Sequence, residues 1–428
     1  MTMGLQAVGN KIYRNGAPWR HVGVTHTALF QRELYSFANY TYPPLATDLD
    51  AIQARGIKLL KIAFGWFDYA SWRDYYWNAK PAYWAAATRV LDAMAARDIM
   101  CVANMGLSLT GLLQLTYLTN GGVTVPPSRI ADKTSPAYTI WADYITEFVT
   151  RYKNHPAIGM WTFGNEVSAK LGNEYHSSWA VDGTFNSAIT LGTKPEGGSY
   201  APGDKMGPAV YQQWMQQFTD LCHSLDPWAR IVLSGNPVGN SFGVAQRRTA
   251  NLTADSYADW NGRPDTGSKP WIAYRDQACD AICTHCYPLV ARTGDGQWYS
   301  DGDRTYGQHI GYQKAWADQA GKPLVMAEFG ATRYGSMVDP VSSPGALTTL
   351  GTIGSAVTEE SLITEALTAI ESNDIPVALC WNWDGQDLVD ANANGVIDSP
   401  VEPYLWPLNH ASRTYILDAI QALNARRA

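Results

Sequence analysis

The stretch Ile158-Gly159-Met160-Trp161-Thr162-Phe163-Gly164-Asn165-Glu166 carries no charge until its last residue. An apolar run of this length, bounded by turn residues, is typical of a buried strand in a parallel sheet. Because an unpaired carboxylate is costly inside such a strand, we expect Glu166 at the C-terminal end. A second stretch, residues 323–330, repeats the pattern with Glu328 as its acid. The two stretches predict a pair of carboxylates at the ends of two buried strands.

Strand-like and helix-like segments alternate along the rest of the chain. Apolar segments predict eight strands, at residues 20–24, 57–64, 99–104, 158–166, 230–234, 280–285, 323–328 and 376–383. Helical patterns lie at 47–55, 81–97, 136–153, 207–225, 309–320, 359–371 and 414–425. Alternating strands and helices indicate an α/β fold with a parallel sheet, and eight such units indicate a closed (β/α)8 TIM barrel.

The chain shows no internal repeat and no linker, so residues 1–428 are predicted to form one catalytic barrel domain. Residues 5–18 predict an N-terminal β-hairpin that turns at Asn15-Gly16. Long loops are expected after the strands. The segment 167–205, rich in Gly, Ser and Asn, is one of them, and loops of this length are usually functional.

Composition excludes several classes of partner. The net charge is −7 and no basic run occurs, so we expect no nucleic-acid partner. No apolar stretch approaches 18 residues, so we expect no membrane span. Residues 1–10 lack the features of a signal peptide, which predicts a cytoplasmic protein or a secreted one whose leader has been removed. The oligomeric state stays open.

Polar residues at the predicted strand ends point to the chemistry. Active sites of (β/α)8 barrels lie at the C-terminal ends of the strands, and the predicted strands place there Asn165, Glu166, His285, Tyr287, Glu328 and Trp381. Two carboxylates facing each other across a cleft suit cleavage of a glycosidic bond, one as proton donor and the other as nucleophile. Either glutamate alone would fit a strand-end salt bridge, but the two together with these neighbours favour catalysis.

These motifs resemble those of the clan A glycoside hydrolases, which include cellulase-like and mannanase-like families such as family 5. Residues 152–166, with Asn165-Glu166 at their end, resemble the fourth-strand signature of the clan. Residues 327–330 resemble its seventh-strand nucleophile motif, and residues 285–287 resemble its sixth-strand His-x-Tyr. Trp381 resembles the eighth-strand tryptophan that forms the floor of the −1 sugar subsite.

The resemblance implies a retaining mechanism on a carbohydrate substrate, with no cofactor required for catalysis. Glu166 would be the general acid/base and Glu328 the nucleophile. Asn165 would bind the sugar 2-hydroxyl, a contact that strengthens in the transition state. Tyr287 would donate a hydrogen bond to Glu328, and His285 would lie near Glu166.

Two positions depart from the cellulase-like pattern. The second strand carries Lys61 where that pattern usually has Arg, and the third strand carries Asn104 where it usually has His. Lysine lacks the two-pronged fork of arginine, so the support of the nucleophile is expected to differ. Both residues are predicted to bind substrate. The departures leave the particular family, and with it the sugar, open.

Aromatic residues crowd the region after the second strand. They fit either a platform on which sugar rings stack or a small hydrophobic core under a loop, and Trp66 is the first candidate for sugar binding because it lies closest to the strand end. The group comprises Phe64, Trp66, Phe67, Tyr69, Trp72, Tyr75, Tyr76, Trp77 and Trp84.

Residues 390–398 resemble a calcium-binding loop. Asp390, Asn392, Asn394 and Asp398 supply oxygen ligands at positions 1, 3, 5 and 9, with glycine at position 6. Position 12 is Val401, so the usual bidentate acid is missing. The alternatives are a structural calcium site and an Asn-Gly surface turn.

Other metal readings are weaker. Cys279, Cys283 and Cys286 surround His285, but a strand places Cys283 and Cys286 on opposite faces, which disfavours tetrahedral zinc. His21 and His26 suggest the hypothesis of a metal-dependent barrel hydrolase, although no His-x-His pair supports it.

The sequence therefore predicts a retaining hydrolase of a β-linked glycoside or glycan. Endo and exo action stay open, and transglycosylation would use the same residues. The alternative from another class is a carbohydrate-binding barrel that has lost catalysis.

Overall fold

The computed structural model describes residues 3–34, 44–65, 80–106, 109–165, 204, 208–235, 278–286, 306–331, 359–383, 388–389, 399–400, 408 and 413–428. The chain begins with an antiparallel sheet of three short strands, β1 Leu5–Val8, β2 Lys11–Arg14 and β3 Ala17–Pro18. Asn15 and Gly16 have φ values of 53° and 81°, as the predicted two-residue hairpin turn requires. The structure divides the first arm of the predicted hairpin into the paired strands β1 and β2, and Leu5 and Ile12 pack with the residues inside the barrel.

Eight parallel strands form the central sheet. They are β4 His21–Thr25, β5 Leu59–Ala63, β6 Met100–Asn104, β7 Ile158–Thr162, β8 Val232–Leu233, β9 Ile282–Cys286, β10 Leu324–Phe329 and β11 Val377–Cys380. Their order is β8-β7-β6-β5-β4-β11-β10-β9, so the two edge strands are consecutive in the chain. The predicted (β/α)8 barrel is therefore confirmed.

The barrel closes between β8 and β9 through Asp280. Its backbone N–H donates to the carbonyl oxygen of Val232 at 3.0 Å, and its carboxylate accepts from the Val232 N–H at 2.8 Å. His223 lies 3.0 Å from the same carboxylate. A side chain thus supplies one of the hydrogen bonds that a strand ladder would otherwise make here.

Helices surround the sheet. They are α1 Leu29–Leu34, α2 Leu45–Ala54, α3 Lys80–Ala95, α4 Leu109–Thr119, α5 Pro136–Tyr152, α6 Pro208–Leu225, α7 Tyr306–Gln319, α8 Glu359–Ser372 and α9 Thr414–Arg427, with a 3₁₀ turn at Pro127–Arg129. A two-stranded antiparallel sheet pairs β12 Leu388–Val389 with β13 Ser399–Pro400. None of the described helices is long and apolar enough to cross a membrane.

The strands alternate their side chains between two cores. One core lies inside the barrel and contains Leu59, Met100, Val102, Met160, Leu233, Cys283, Val325 and Leu379. The other lies between sheet and helices and contains Leu60, Ile62, Cys101, Trp161, Val232, Ile282, Met326 and Cys380. This period of two decides which strand-end residues face the mouth of the barrel.

Candidate active site

Polar side chains replace the apolar interior layers at the C-terminal ends of the strands. Lys61 follows Leu59 in the inward-facing series of β5, while Asn104 ends that of β6 and His285 that of β9. Together with Glu328 on β10, these side chains are only 2–3% exposed. Asn165, just after β7, is 9% exposed. Charged groups buried to this degree need partners, and the structure supplies them.

A β-bulge directs Glu328 into the barrel. Counted by alternation from Val325, Ala327 faces inward and Glu328 would face the helices with Met326. Instead the register with β9 shifts, so that Met326 pairs with Thr284 and Glu328 pairs with His285. The extra residue, Ala327, leaves both Ala327 and Glu328 on the inner side.

Lys61 and His285 hold the two oxygens of the Glu328 carboxylate. Lys61 Nζ donates to Glu328 Oε1 at 2.8 Å, and His285 Nδ1 lies 3.0 Å from Glu328 Oε2. Lys61 Nζ also donates to Asn165 Oδ1 at 2.8 Å. Since an ammonium group can only donate, the Asn165 oxygen faces the lysine, which leaves the amide NH₂ to point elsewhere.

The electrostatics keep Glu328 ionised. Burial alone would raise the pKa of this carboxyl, because the charged form loses its hydration. The adjacent His285 and Lys61 outweigh burial and lower the pKa of Glu328 to about 2. At neutral pH the site therefore holds a desolvated carboxylate, the form in which a carboxyl group can act as a nucleophile.

Glycine backbones set the loops after β6 and β7. Gly164 has a φ of 81°, which lets the chain turn out of β7 and bring Asn165 to Lys61. Asn104 Oδ1 accepts a hydrogen bond from the Gly106 N–H at 2.8 Å. A Cβ on Gly106 would lie 2.6 Å from the backbone nitrogen of Gly164. Asn104 thus bonds its own loop, and its predicted contact with substrate stays a prediction.

Trp381 lies at the predicted end of β11 and is half-buried. Its N–H donates to the carbonyl oxygen of Phe329 at 2.8 Å, and the Trp383 N–H donates to Thr25 at 2.7 Å. The Trp381–Asn382 peptide bond is cis. The two backbone hydrogen bonds hold the segment between β10 and β4, and Trp381 stays half-buried there.

Several predicted site residues lie outside the described residues. These are Glu166, Tyr287, Trp66 and the four calcium candidates Asp390, Asn392, Asn394 and Asp398. The separation of the two glutamates and the contact of Tyr287 with Glu328 therefore stay predictions. His285, expected near Glu166, contacts Glu328. The segment 390–398 connects the paired strands β12 and β13.

Two of the aromatic candidates belong to the core. Phe64 and Trp84 are 0% and 5% exposed and pack against Phe148, with ring centroids 5.1 Å and 5.7 Å away. For these two residues the sugar-platform alternative is wrong, because no face is open to a ligand. The other seven lie outside the described residues.

A buried charge cluster beside Lys61 was not predicted. Arg32 donates to Asp48 at 2.8 Å, and His26 Nε2 lies 3.3 Å from the same carboxylate. Burial opposes the charge, but His26 and Arg32 lower the pKa of Asp48. The His26 N–H also donates to the Lys61 carbonyl at 2.9 Å, so the cluster braces the strand that carries the lysine. His26 and Asp48 are too far apart in the sequence for any local pattern to predict their contact.

The described residues give no support to the zinc or histidine-metal readings. All six cysteines are free and buried. Cys283 lies in the inner core and Cys286 in the outer one, on the opposite faces predicted. His21 accepts from the Lys58 N–H, and burial, aided by Lys58, lowers the pKa of His21 to about 3. No group of three or more metal-ligating side chains occurs among the residues described.

Solved structures share this fold at low sequence identity. A family 5 mannosidase from Rhizomucor miehei has a TM-score of 0.59 and 16% identity, covering 99% of this chain and 98% of that one. An endo-β-1,4-mannanase from Thermotoga petrophila has a TM-score of 0.60 and 13% identity, covering 96% of this chain and 78% of that one. GH5_18 from Streptomyces cattleya, solved with GlcNAc, has a TM-score of 0.58 and 15% identity, covering 95% of this chain and 80% of that one. No curated protein sequence matches the chain.

The sequence also matches a family model, described as Cellulase (glycosyl hydrolase family 5), over residues 19–387. That range begins just before β4 and ends beyond β11, so it includes every strand of the barrel and each polar residue at its mouth. The chain belongs to glycosyl hydrolase family 5.

Proposed function

We propose that the protein is a retaining hydrolase of β-linked glycosides, with Glu328 as nucleophile and Glu166 as general acid/base. The observation that carries the proposal is the Glu328 carboxylate, buried at the barrel mouth with one oxygen on Lys61 and the other on His285. A charge so deeply buried is maintained by built partners, which is typical of a functional site.

In the first step, Glu166 gives its proton to the glycosidic oxygen, and the bond between that oxygen and the anomeric carbon breaks. A Glu328 oxygen forms an ester bond to the anomeric carbon. In the second step, Glu166 takes a proton from water, the water oxygen attacks the same carbon, and Glu328 leaves as a carboxylate. Two inversions retain the configuration.

The neighbours of Glu328 assist both steps. Lys61 and His285 stabilise the carboxylate before attack and again as it leaves, because negative charge returns to the same two oxygens. They also impose a requirement on geometry, since the attacking oxygen must use a lone pair not directed at its partner. Tyr287 is proposed as a further donor to Glu328.

Asn165 is proposed to bind the sugar 2-hydroxyl. Lys61 fixes the Asn165 oxygen, so the NH₂ group is presented to substrate as a donor. Trp381 is proposed as the floor of the −1 subsite, since the residue is only half-buried at the end of β11. Asn104 and Trp66 are proposed as further substrate contacts, and the loop 390–398 as a structural calcium site that catalysis does not require.

The substrate class follows from two supports. The matched family model is described as a cellulase, and the similar structures include a mannosidase and a mannanase. We therefore place β-mannosides, β-mannans and β-glucans first among candidate substrates. Both exo and endo action are compatible with this set.

The test is turnover of aryl β-mannosides, aryl β-glucosides, mannan and β-glucan, with the anomer of the first product followed by NMR. Wild-type protein should release the β-anomer first. Glu328→Gln should abolish turnover, because an amide cannot act as the nucleophile. Glu360→Gln, an exposed glutamate on α8, is the control and should retain activity.

Release of the α-anomer would contradict retention. Undiminished activity in Glu328→Gln would contradict the assignment of the nucleophile. Binding of these sugars without turnover would instead favour the carbohydrate-binding barrel, and transfer to an added sugar acceptor would favour transglycosylation.

A further inference from the structure

Tyr306 lies where the strands of His285 and Glu328 end. It is the first residue of α7, and its side chain is buried. Its hydroxyl oxygen lies 2.6 Å from the carbonyl oxygen of Cys286 and 3.2 Å from that of Gly330. Cys286 is the last residue of β9, and Gly330 directly follows β10.

The two carbonyls flank a short piece of ladder. Past the bulge at Ala327, the register between β10 and β9 continues for the pairs Glu328–His285 and Phe329–Cys286. So short a ladder resists sliding and separation weakly, because each backbone hydrogen bond adds only about 1 kcal/mol. The single phenol hydrogen of Tyr306 is shared between one carbonyl of each strand, the shorter contact being to Cys286, and this shared bond closes the open end of the ladder.

We propose that Tyr306 is a positioning residue that fixes the Glu328 nucleophile against His285. The inference rests on the proposed function, in which Glu328 attacks the anomeric carbon. Tyr306 does not reach the reacting atoms. It acts through the backbone carbonyls next to His285 and two residues after Glu328.

The proposal follows from the position of the contact between His285 and Glu328, which spans two adjacent strands. The 3.0 Å distance between His285 Nδ1 and Glu328 Oε2 joins side chains on adjacent strands, so it lengthens if those strands part. A displaced carboxylate would lose part of its charge stabilisation while staying buried. A misplacement of about 1 Å can reduce the rate about 10²-fold.

Tyr211 offers a matched control. Its hydroxyl also donates to a strand-end carbonyl, that of Ser234 after β8, at 3.3 Å. Its side chain is 2% exposed, and β8 carries none of the predicted site residues. Tyr211→Phe and Tyr306→Phe therefore both remove a buried hydroxyl from a strand-end carbonyl, but Tyr211 bonds neither the strand of Glu328 nor that of His285.

The experiment compares Tyr306→Phe, Tyr306→His and Tyr211→Phe with wild type. Tyr306→Phe should lower kcat about tenfold or more, with KM nearly unchanged, and should move the acid limb of kcat/KM to higher pH. Tyr306→His restores an N–H donor and should recover part of the loss. Tyr211→Phe should stay within about twofold of wild type. If Tyr306→Phe does not fold, Tyr306→His is compared with Tyr211→Phe.

A second readout does not require turnover. In protein labelled with ¹³C at the glutamate carboxyls, the Glu328 signal is the one lost in Glu328→Gln. Its titration should move to higher pH in Tyr306→Phe and not in Tyr211→Phe. An unchanged Glu328 titration with a kcat equal to that of Tyr211→Phe would overturn the proposal. If wild type hydrolyses no glycoside, the proposed function fails, and this titration still decides the role of Tyr306.

Discussion

Lys61 Nζ lies 2.8 Å from Glu328 Oε1 and 2.8 Å from Asn165 Oδ1, so one ammonium group joins three strands of the barrel at its mouth. Lys61 gives the carboxylate a single-point cation. An arginine at this position would instead present a planar fork of donors. Removing one partner of such a buried pair costs about 3–5 kcal/mol, because the other charge stays behind without compensation.

Lys61→Met is therefore expected to lower kcat/KM about 10²-fold or more and to move its acid limb to higher pH. With the cation gone, burial still raises the pKa of Glu328, and one of the two groups that lower it is lost. Lys61→Arg should recover part of the activity. The measurement is the pH profile of kcat/KM.

Lys58→Met provides the control for that series, since Lys58 is an exposed lysine shortly before the same strand. It should behave as wild type. Retention of most of the activity in Lys61→Met, with the acid limb in place, would show that Glu328 does not depend on the lysine.

The free energy of unfolding should depend on pH through the titration of Glu328. Its folded pKa of about 2 lies below the value of about 4.3 for an unperturbed glutamate. Its ionisation therefore stabilises the fold above about pH 4.3, and this contribution is lost as the pH falls towards 2. Urea unfolding between pH 5 and 2 should show a steeper fall in the free energy of unfolding for wild type than for Glu328→Gln.

Glu360→Gln should follow the wild-type slope in that comparison. Parallel slopes for wild type and Glu328→Gln would mean that the carboxyl titrates alike in the folded and unfolded states, contrary to its buried contacts.

Asn165→Ala should lower kcat/KM on a 2-hydroxy substrate and have little further effect on the matching 2-deoxy glycoside. The reason is that the proposed amide contact with the 2-hydroxyl strengthens in the transition state. The measurement is a double comparison of enzyme variant and substrate. Equal losses on both substrates would assign Asn165 to holding Lys61 rather than the sugar.

Chelation should separate structure from catalysis. If residues 390–398 hold calcium, EDTA should lower the Tm of wild type and leave initial turnover unchanged at a temperature where the protein stays folded. Asp390→Asn with Asp398→Asn should remove the response of Tm to added calcium. A Tm that ignores both calcium and EDTA would leave this segment as a surface turn.

The sequence allowed the barrel and its polar mouth to be predicted because both follow from local pattern. Apolar runs with an acid at the end marked β7 and β10, and Asn15-Gly16 marked a turn through its backbone preference. The helices α1 and α4 were missed. The first has six residues, and α4 contains no charged residue to define a polar face.

The contacts of the site depended on features that pattern does not encode. Alternation would turn Glu328 outward, and the bulge at Ala327 appears only when the strand is paired with β9. For the same reason the contact between His285 and Glu328 was not predicted, since it is fixed by register across strands. The predicted proximity of His285 to Glu166 stays a prediction, because Glu166 lies outside the described residues. Lys61 could be identified as unusual, but its bridge to Asn165 required the assembled barrel.

The Asp280 closure has a mechanical consequence. Asp280 makes hydrogen bonds that join β8 to the start of β9, and this seam lies between the half that carries Asn165 and the half that carries His285 and Glu328. Slight opening there would widen the gap between the two sides of the cleft. Lys61 bonds Asn165 on one side and Glu328 on the other, so it limits how far the two sides can separate.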